Sequence, residues 1–487
     1  MKAMNRRDFA YSLAVSAAMA GRRGLAQSIA DDPPEATLEV DSASVGAVMP
    51  ADFTGLSYES AQLANPLFFS AANEQLIKLF RELTPNGVLR LGGGSSNFTT
   101  YSTTRPIGPP PFEVFGPDTS KTIKTGTITS SLSLSNLRAF LDATNWHCIY
   151  GLNLGQGTRE NAAREAAAAC KILGPRLIAL QIGNEPDSFR NRYRPANYSP
   201  ADFMKEWNDF HHAIIAVTPQ AKFAGPDISN KLAFFIAFAA EASQHPDVIL
   251  LTAHSYAMGP AGSPKATLNR LLVDDPSVQT QPESQLDAIL ADARSACLPY
   301  RMCEGNSCWN GGEPGISDTL ASALWCGDYM LHLAQKGVVG VNMHGGGNGY
   351  YTPIDGAPSL GMKPRPEYFG MQLAQMLAKA TFLSSTLRTR NSRLTSYVAK
   401  QGSAWFLAVF NKGMETTLIS LPQLLSEPGW CAEICTLTGA AFDSKQVTLT
   451  GPKPVAAPGG SVIVPGKTAV VYRFDGYNKS EESRGSL

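Results

Sequence analysis

The stretch LIALQIGNEPD, residues 177–187, is an apolar run that ends in polar residues, and an amphipathic stretch, Ala201–Val217, follows it. A short apolar run followed by a longer segment with helical periodicity is typical of one strand–helix unit of a parallel sheet. The same unit repeats on both sides of this stretch. The apolar runs are Phe53–Tyr58, Val88–Leu91, His147–Leu154, Leu177–Ile182, Lys222–Gly225, Val248–His254, Tyr300–Cys303 and Val338–Met343. The helical stretches are Asn73–Leu83, Leu137–Ala143, Glu160–Leu173, Ala201–Val217, Asn230–Ala242, Glu283–Ala296, Asp318–Gln335 and Glu367–Ala380.

Eight units in strict alternation predict an α/β fold, a (β/α)8 TIM barrel over residues 49–380. A doubly wound open sheet is the alternative. A long loop rich in Pro, Gly and Thr, residues 99–128, interrupts the pattern after the second strand. A loop of this length on a barrel is more often a wall of the binding cleft than an idle connection.

The pattern changes after residue 380, where short β-rich runs are separated by Gly, Pro, Asn and Asp. This pattern predicts a C-terminal antiparallel β-sandwich domain over residues 381–475. Two short runs within residues 27–48, Thr37–Val40 and Val45–Val48, are expected to join it as N-terminal strands. The polar tail, residues 476–487, is expected to be disordered.

The first 26 residues have the features of a twin-arginine signal peptide. Arg6 and Arg7 precede an apolar run, Phe9–Ala20, and the small residues of Gly24–Ala26 follow it. The run is too short to remain as a membrane-spanning helix, so no transmembrane segment is expected in the mature chain. The sequence therefore predicts a bacterial protein that is exported to the periplasm or secreted.

The composition excludes several classes of protein. The chain has 487 residues, 44% of them apolar, which is ample for a large core. Its 41 basic residues balance 41 acidic ones, and removal of residues 1–26 takes away five basic residues and one acidic residue, leaving 36 against 40, a net charge of −4. Such a surface offers no strong field for nucleic acid, so none is expected as a partner. A monomer is expected, although the sequence does not fix the oligomeric state.

No metal and no cofactor are predicted. The eight cysteines lack the spacing of a zinc site, and most are expected to be small core residues. Cys431 and Cys435 could form a disulfide in an oxidising compartment, which the sequence leaves open. The glycine strings at 92–94 and 345–347 lack the spacing and the helix of a dinucleotide site.

Two glutamates follow strands of the predicted barrel. Glu185 lies just past the fourth strand, and Glu304 ends the seventh, 119 residues further along the chain. Active sites of such barrels lie at the carboxyl ends of the strands, so these two carboxylates should meet at the barrel mouth. A carboxylate pair is the minimum for glycosidic cleavage, and their proximity should push their pKa values apart.

Several segments resemble the retaining (β/α)8 glycoside hydrolases of clan A. Gly183-Asn184-Glu185-Pro186 resembles the clan's acid/base motif. The segments that narrow the resemblance to heparanase-like family 79, which includes bacterial β-glucuronidases, are Leu89–Gly93, Tyr150–Asn153, Gly225–Asp227, His254–Tyr256 and Gly347–Tyr350. They occur in the family's order, and the resemblance covers residues 53–380.

The resemblance implies a role for each matching residue. Glu185 would be the acid/base and Glu304 the nucleophile of a double displacement. Asn184 would bind the sugar 2-hydroxyl, and Tyr256 would donate to Glu304. Glu59 matches an acidic residue that binds sugar hydroxyls.

Five further residues are interpreted from their place in the motifs or at strand ends. Gly93 and Ser95 would form a tight turn beside the sugar. Arg90 is either a sugar contact or an ion partner of the nucleophile. His254 and His344, at strand ends, are expected to line the pocket.

Selectivity for a uronic acid is less clearly encoded. Family members bind the sugar carboxylate with tyrosine hydroxyls and backbone N–H groups. Gly349 with Tyr350 or Tyr351 matches one of these contacts. The position five residues past Glu304 is Trp309 rather than a tyrosine. Tryptophan offers one indole N–H and more stacking surface than tyrosine.

The sequence thus predicts a retaining exo-β-glucuronidase that acts on β-glucuronides or on glucuronic acid side chains of polysaccharides, including 4-O-methylated ones. Because of Trp309, the first alternative is a neutral-sugar β-glycosidase with the same fold. A carbohydrate-binding protein without catalysis is the second alternative, against which the presence of both carboxylates argues.

Overall fold

The computed structural model describes residues 36–103, 126–273, 283–345, 349–426, 431–456 and 458–475. The predicted signal peptide, the predicted tail and residues 104–125 of the predicted 99–128 loop lie outside these ranges. None of the helices in the described ranges is long and apolar enough to cross a membrane.

The described strands are β1 (Ala36–Val48), β2 (Thr54–Glu59), β3 (Val88–Gly92), β4 (Thr99–Ser102), β5 (Thr127–Ser130), β6 (His147–Leu152), β7 (Leu177–Ile182), β8 (Phe223–Ile228), β9 (Val248–Tyr256), β10 (Tyr300–Asn306), β11 (Val341–His344), β12 (Ile354–Ala357), β13 (Gly361–Pro364), β14 (Thr381–Thr389), β15 (Leu394–Gln401), β16 (Ala404–Asn411), β17 (Thr417–Ser420), β18 (Cys431–Thr438), β19 (Thr448–Val455), β20 (Ser461–Val464) and β21 (Thr468–Asp475). The described α-helices are α1 (Glu74–Leu83), α2 (Gly93–Ser96), α3 (Ser131–Thr144), α4 (Arg159–Leu173), α5 (Pro200–Val217), α6 (Leu232–Ala242), α7 (Leu268–Leu272), α8 (Glu283–Ser295), α9 (Leu320–Gln335) and α10 (Pro366–Gln375).

Eight of the strands close into a barrel in the order β10-β11-β2-β3-β6-β7-β8-β9. Neighbouring strands of the barrel are parallel throughout. The predicted TIM barrel is therefore confirmed, and the open-sheet alternative is wrong. The sheet can close with eight strands because the space inside a barrel of that size is filled by the strands' own side chains.

The helices pack on the barrel through apolar residues at helical spacing. In α1, Leu76, Phe80 and Leu83 are buried, and the Asn73 side chain accepts a hydrogen bond from the Leu76 N–H at 3.4 Å. The Phe80 ring lies 4.5 Å from that of Trp146, which precedes β6. Because three or four residues separate these apolar positions, they form one stripe that faces the barrel.

The ends of the predicted 99–128 loop are themselves ordered. β4 and β5 pair in parallel as a small separate sheet, from Thr99–Thr127 to Ser102–Ser130. Another small element, the hairpin of β12 and β13, follows the last barrel strand. Both elements lie in segments that follow the carboxyl ends of barrel strands.

The remaining strands form a second, mostly antiparallel sheet of nine strands in the order β19-β18-β21-β16-β15-β14-β1-β17-β20. β1 pairs with β14 antiparallel and with β17 in parallel, so the chain before the barrel contributes an interior strand of this sheet. The domain has its own buried apolar cluster, which includes Val398, Leu407 and Phe474. The structure confirms the barrel with an additional antiparallel β domain.

Cys431 and Cys435 both lie in β18. Four residues of extended strand span about 13 Å, which exceeds the roughly 7 Å reach of a disulfide between Cα atoms. Cys435 is a buried free thiol. The backbone therefore rules out a bridge between these two cysteines.

A buried ion pair joins the two domains. The Lys412 Nζ atom, in the β domain, lies 2.5 Å from Asp328 Oδ2 in α9. Thr395 and Tyr397 donate hydrogen bonds to Asp328 Oδ1, each at 2.7 Å. A buried charge with this many partners fixes how α9 packs on the sheet, because losing a partner would leave it unsatisfied.

Glu165 gives the barrel a pH-dependent stability. This α4 residue is 2% exposed, and its Oε1 accepts a hydrogen bond from the Tyr150 hydroxyl at 2.7 Å. Burial raises the pKa of Glu165 to about 7. The folded protein therefore favours the neutral acid, and the stability that this provides is full below pH 4.5 and is lost as the pH rises through 7.

We expect Glu165→Gln to change the free energy of unfolding more favourably at pH 8 than at pH 4.5. The difference between its effects at the two pH values should be up to about 3 kcal/mol. Glutamine keeps an acceptor for Tyr150 without a buried charge. Urea denaturation of both proteins at the two pH values measures the effect. Glu160→Gln on the same helix, where the side chain is 65% exposed, is the control. A pH-independent effect of Glu165→Gln would contradict the prediction.

Candidate active site

The two predicted carboxylates meet at the carboxyl end of the barrel. Glu304 lies near the carboxyl end of β10, and Glu185 lies three residues past the end of β7. One oxygen of Glu185, one oxygen of Glu304 and one ring nitrogen of His254 lie within 4.8 Å of one another. The Glu185 side chain is 30% exposed and that of Glu304 is 8% exposed. Glu304 therefore forms the floor of the site, and Glu185 is accessible from solvent.

The backbone around Glu185 is held in an uncommon conformation. Glu185 has a φ of +49°, in the left-handed region, and its N–H donates to the Asp227 carbonyl at 2.9 Å. Pro186 then begins a short 3-10 helix, Pro186–Ser188. A left-handed non-glycine residue costs about 1–2 kcal/mol and is concentrated at functional sites, where it aims a side chain.

Arg90 lies beneath the carboxylate pair and is fully buried. Its Nη1 donates to Glu304 at 2.6 Å, and its Nη2 donates to the Asn184 side chain at 2.7 Å. The remaining partners of the guanidinium are Ser57, Gln181 and Asp227. All five guanidinium N–H donors are thus engaged, which leaves none for a sugar and makes Arg90 an ion partner.

Glu304 is held as a carboxylate. Tyr256 donates a hydrogen bond to its Oε1 at 2.8 Å, as the resemblance implies. Nδ1 of His344 and Nδ1 of His254 each lie 3.9 Å from its Oε2. Burial alone would raise the pKa of Glu304, but His344, His254, Arg90 and the Tyr256 hydroxyl together hold that pKa well below its usual value. A buried anion with these partners is a ready nucleophile.

Glu185 has the opposite tendency. Desolvation at the barrel mouth and the negative charge of Glu304 raise the pKa of Glu185, although the hydrogen bond from His254 Nδ1, at 3.0 Å, opposes this. The pair therefore has one carboxyl that stays ionised and one that holds a proton more readily. This is the division that acid/base catalysis by two carboxyls requires.

His254 links the two carboxylates, a role that sequence reasoning missed. Its Nε2 lies 3.1 Å from Asp227 Oδ1. Burial would lower the pKa of His254, but Asp227 and Glu304 raise it well above its usual value. The sequence contained a signal for this position of His254. Residues 254 and 256 are two apart in a strand, so their side chains lie on the same face.

The cluster of Glu185, His254 and Glu304 also has the composition of a metal site. A protonated imidazole has no lone pair to offer a cation, and the raised pKa of His254 favours that form. In that form, His254 places a positive charge between the carboxylates, which opposes binding of a cation there.

Glu59, Gly93 and Ser95 form one side of the site. The Glu59 carboxylate accepts hydrogen bonds from the Ser95 N–H at 2.8 Å and from the Ser95 hydroxyl. Gly93 has a φ of +68°, and a Cβ atom there would lie 2.4 Å from the Glu59 carboxyl carbon. The backbone can approach Glu59 only because this residue is glycine.

We expect Gly93→Ala to lower kcat/KM by about 100-fold, because it displaces the Glu59 carboxylate and strains the turn. Gly94→Ala is the matched control, since a Cβ at Gly94 meets nothing within 4 Å. Steady-state kinetics, with circular dichroism to verify folding, separate the two. Equal losses in both variants would contradict a specific effect on Glu59.

Asn184 is buried and fixed from two sides. Arg90 binds its side-chain oxygen, and Asn97 donates through Nδ2 to its backbone carbonyl at 2.8 Å. Because the oxygen is occupied, the side-chain NH2 group is what Asn184 can offer a sugar. Sequence reasoning did not identify Asn97, which lies just past α2.

The remaining predicted residues lie on the loops after β10 and β11. The Trp309 ring lies 6.2 Å from the Tyr256 ring, edge to face, so it borders the site. The Gly349 carbonyl accepts a hydrogen bond from Arg365 Nη1 at 3.1 Å. Tyr350 is 43% exposed, whereas Tyr351 is 5% exposed.

Of the two tyrosines that the sequence left open, Tyr351 lies closer to the residues around the carboxylates. The Tyr351 ring packs edge to face on His344 at 5.7 Å. Burial and the charges of Glu304 and Glu59 raise the pKa of Tyr351 well above its usual value. The two tyrosines lie in a turn closed by a hydrogen bond from the Thr352 N–H to the Gly349 carbonyl, and Tyr351 is the one that is buried against His344 beside the carboxylates. Asn348 and Gly347 of the predicted motif lie outside the described residues.

Two known proteins are similar to this chain in sequence. The chain is 27% identical to a β-glucuronidase of Aspergillus niger over 403 residues, covering 73% of this chain and 72% of that protein. It is also 27% identical to a β-glucuronidase of Neurospora crassa over 325 residues, covering 60% of this chain and only 56% of that protein. No protein-family model matches the chain.

Among solved structures, a 4-O-α-L-rhamnosyl-β-D-glucuronidase from Fusarium oxysporum is similar to the chain. It superposes with a TM-score of 0.70 and 17% identity, covering 90% of this chain and 99% of that one. The barrel, its paired carboxylates and these similarities define a glycoside hydrolase. Within that class, the chain is similar to β-glucuronidases in sequence, and its ordered motifs resemble those of clan A enzymes of family 79.

Proposed function

We propose that the chain is an exo-acting, retaining β-glucuronidase that works by double displacement. The observation that supports the retaining mechanism is the short separation, within 4.8 Å, between carboxylate oxygens of Glu185 and Glu304. Retaining enzymes have carboxyl groups about 5–5.5 Å apart, whereas inverting enzymes need about 6.5–9.5 Å to admit a water molecule. The similarity to β-glucuronidases supports the choice of sugar.

In the first step, Glu304 attacks the anomeric carbon as the bond to the leaving oxygen breaks. Glu185 gives its proton to that oxygen, and a covalent glycosyl–enzyme forms with inverted configuration. The Asn184 NH2 group and the Glu59 carboxylate are placed to bind sugar hydroxyls. Arg90 and Tyr256 keep Glu304 ionised before it attacks.

In the second step, Glu185 is a carboxylate and takes a proton from water, which displaces Glu304 and restores the original configuration. His254 assists here, because its charge and its 3.0 Å hydrogen bond stabilise the ionised form of Glu185. Asp227, against the other ring nitrogen, keeps His254 protonated through both steps.

We propose that the loops after β10 and β11 bind the sugar carboxylate. Asn310, Gly311 and Gly312 follow Trp309 with φ values of +61°, +87° and +82°. The Gly311 carbonyl accepts from the Tyr351 N–H at 3.4 Å, which joins the two loops. Backbone N–H groups in a turn of this kind would recognise a carboxylate without a formal positive charge.

Hydrolysis of p-nitrophenyl β-D-glucuronide, compared with the matching β-D-glucoside and β-D-xyloside, tests the proposal. We expect a clear preference for the glucuronide, with Glu304→Ala as the blank. A preference for a neutral sugar would favour the neutral-sugar β-glycosidase that Trp309 keeps open. Sugar binding without turnover of any of the three would favour a binding protein.

The exo mode and the site of action are parts of the same proposal. A net charge of −4 without residues 1–26 does not favour an endo-acting enzyme with a long basic cleft for a sulfated polysaccharide. Release of monosaccharide alone from a glucuronic acid-substituted polysaccharide is the expected product pattern. Shortening of the main chain would contradict it.

We also propose export by a twin-arginine signal, on the basis of Arg6, Arg7 and the apolar run after them. The mature protein would then act in the periplasm or outside the cell, as a monomer. Replacing both arginines with lysine should retain the protein in the cytoplasm of a bacterial host. Unchanged export of that variant would contradict the proposal.

A further inference from the structure

A second cluster of metal-binding side chains lies at the opposite end of the barrel from Glu185 and Glu304. His211 is in the second half of α5, and His245 and Asp247 are in the segment between α6 and β9. One donor atom from each of these three residues lies within 4.8 Å of the others. Asp247 immediately precedes β9, so the cluster is at the amino ends of the strands, away from the active site.

The cluster is held in place by aromatic packing. The His211 ring stacks on Trp207 at 4.9 Å and lies 4.7 Å from the Phe223 ring. The His245 ring lies 4.9 Å from that of His211. The His211 Nε2 atom is 2.7 Å from Asp247 Oδ2. Two imidazoles and a carboxylate are thus held close together by the surrounding packing.

The cluster is closed on one side and open on the other. On the closed side, the buried Nδ1 atom of His211 has no hydrogen-bond partner within the described ranges, and it lies across the ring from the Nε2 atom that faces Asp247. Access to solvent remains on the other side, where the side chains of His245 and Glu241 are 21% and 33% exposed. A small ion can therefore enter without opening the core.

The donor set selects the kind of ion. Imidazole nitrogen together with carboxylate oxygen suits zinc and similar transition metals, whereas calcium and magnesium prefer oxygen ligands alone. Tetrahedral zinc with bonds of about 2.0–2.1 Å places its donor atoms roughly 3.4 Å apart. His211 Nε2 and Asp247 Oδ2, which are 2.7 Å apart, would therefore separate slightly around the ion. Water would supply the fourth ligand, because the Glu241 carboxylate accepts a hydrogen bond from Asn208 Nδ2.

We propose that His211, His245 and Asp247 bind a divalent transition metal ion such as zinc. The ion would join the end of α5 to the connection between α6 and β9, as a structural site of the barrel. The proposal does not depend on the sugar that the active site accepts. It goes against the expectation from sequence, which looked for closely spaced cysteines and histidines.

Zinc binding to the full chain, stripped with EDTA and titrated against a chromophoric chelator at pH 7.5, tests the proposal. We expect one zinc ion per chain, and a weakening of at least about 10–100-fold in Asp247→Asn and in His245→Gln. The thermal midpoint of the parent protein should rise with zinc, and that of the two variants should rise less. Circular dichroism without metal verifies that both variants fold.

Two further variants serve as controls. His212 is the exposed neighbour of His211 on the same helix, and His212→Gln should bind zinc as the parent does. Glu304→Gln should also retain the ion, because the active-site cluster is a separate group. The proposal is overturned if zinc does not bind, or if His212→Gln loses it to the same extent. It is equally overturned if Glu304→Gln loses zinc while Asp247→Asn keeps it.

Discussion

Glu304→Ala is expected to lower kcat on p-nitrophenyl β-D-glucuronide by about 10⁴-fold or more, while substrate binding persists. The variant lacks the atom that forms the covalent intermediate, and no other carboxylate can take its place. Glu185 lies on the other side of the scissile bond, and Glu59 is bound by Ser95. Steady-state kinetics with calorimetric measurement of sugar binding separate the loss of chemistry from a loss of affinity.

A small nucleophile distinguishes loss of the nucleophile from general damage. The methyl side chain of alanine leaves room for azide beside the anomeric carbon, so azide should restore turnover and give the α-glycosyl azide. Glu415→Gln, an exposed position in the β domain, is the control and should retain parent activity. Retention of more than a few per cent of activity in Glu304→Ala would contradict the assignment.

Glu185→Ala should produce a loss that depends on the leaving group. A p-nitrophenolate departs without protonation, whereas a sugar or alkyl leaving group needs the proton of Glu185. We expect kcat/KM on alkyl or saccharide glucuronides to fall by about 10²–10⁴-fold, and the loss on the aryl glucuronide to be much smaller. Parallel kinetics on the two substrate types measure the difference, and equal losses would remove Glu185 from this role.

The pH profile provides an independent control for Glu185. Its side chain acts as an acid only when protonated, and its pKa is raised, so the rate of the parent enzyme should fall as the pH rises through that pKa. Glu185→Gln should lack this alkaline limb. Azide added to Glu185→Ala should give the β-glycosyl azide, the opposite anomer from that of the Glu304 variant. An unchanged alkaline limb in Glu185→Gln would assign the titration to another group.

The fold could be predicted from the sequence because its signals are local and repeated. Each apolar run of four to eight residues, followed by a helical stretch, predicts its own strand and helix. The change of pattern after residue 380 likewise predicts a β domain without knowledge of contacts. The pairing of β1 with β14 could be suggested but not specified, because hydrogen bonding between segments more than 300 residues apart has no local signal.

The carboxylates could also be predicted, since both follow barrel strands and parallel strands bring their carboxyl ends to one face. The charges around them could not. Arg90, Asp227 and His254 come from three different strands, and each alone is an ordinary polar residue at a strand end. The choice between Tyr350 and Tyr351 likewise depends on how one loop turns after β11.

The sequence by itself determined the barrel, the β domain and the identity of the two carboxylates, because strand periodicity and strand ends can be recognised within short segments. Only the tertiary structure showed which charges keep Glu304 ionised and which tyrosine lies beside them. It alone brought His211 next to His245 and Asp247. These features depend on distances between residues far apart in the chain, and electrostatic interactions act through those distances rather than through sequence order.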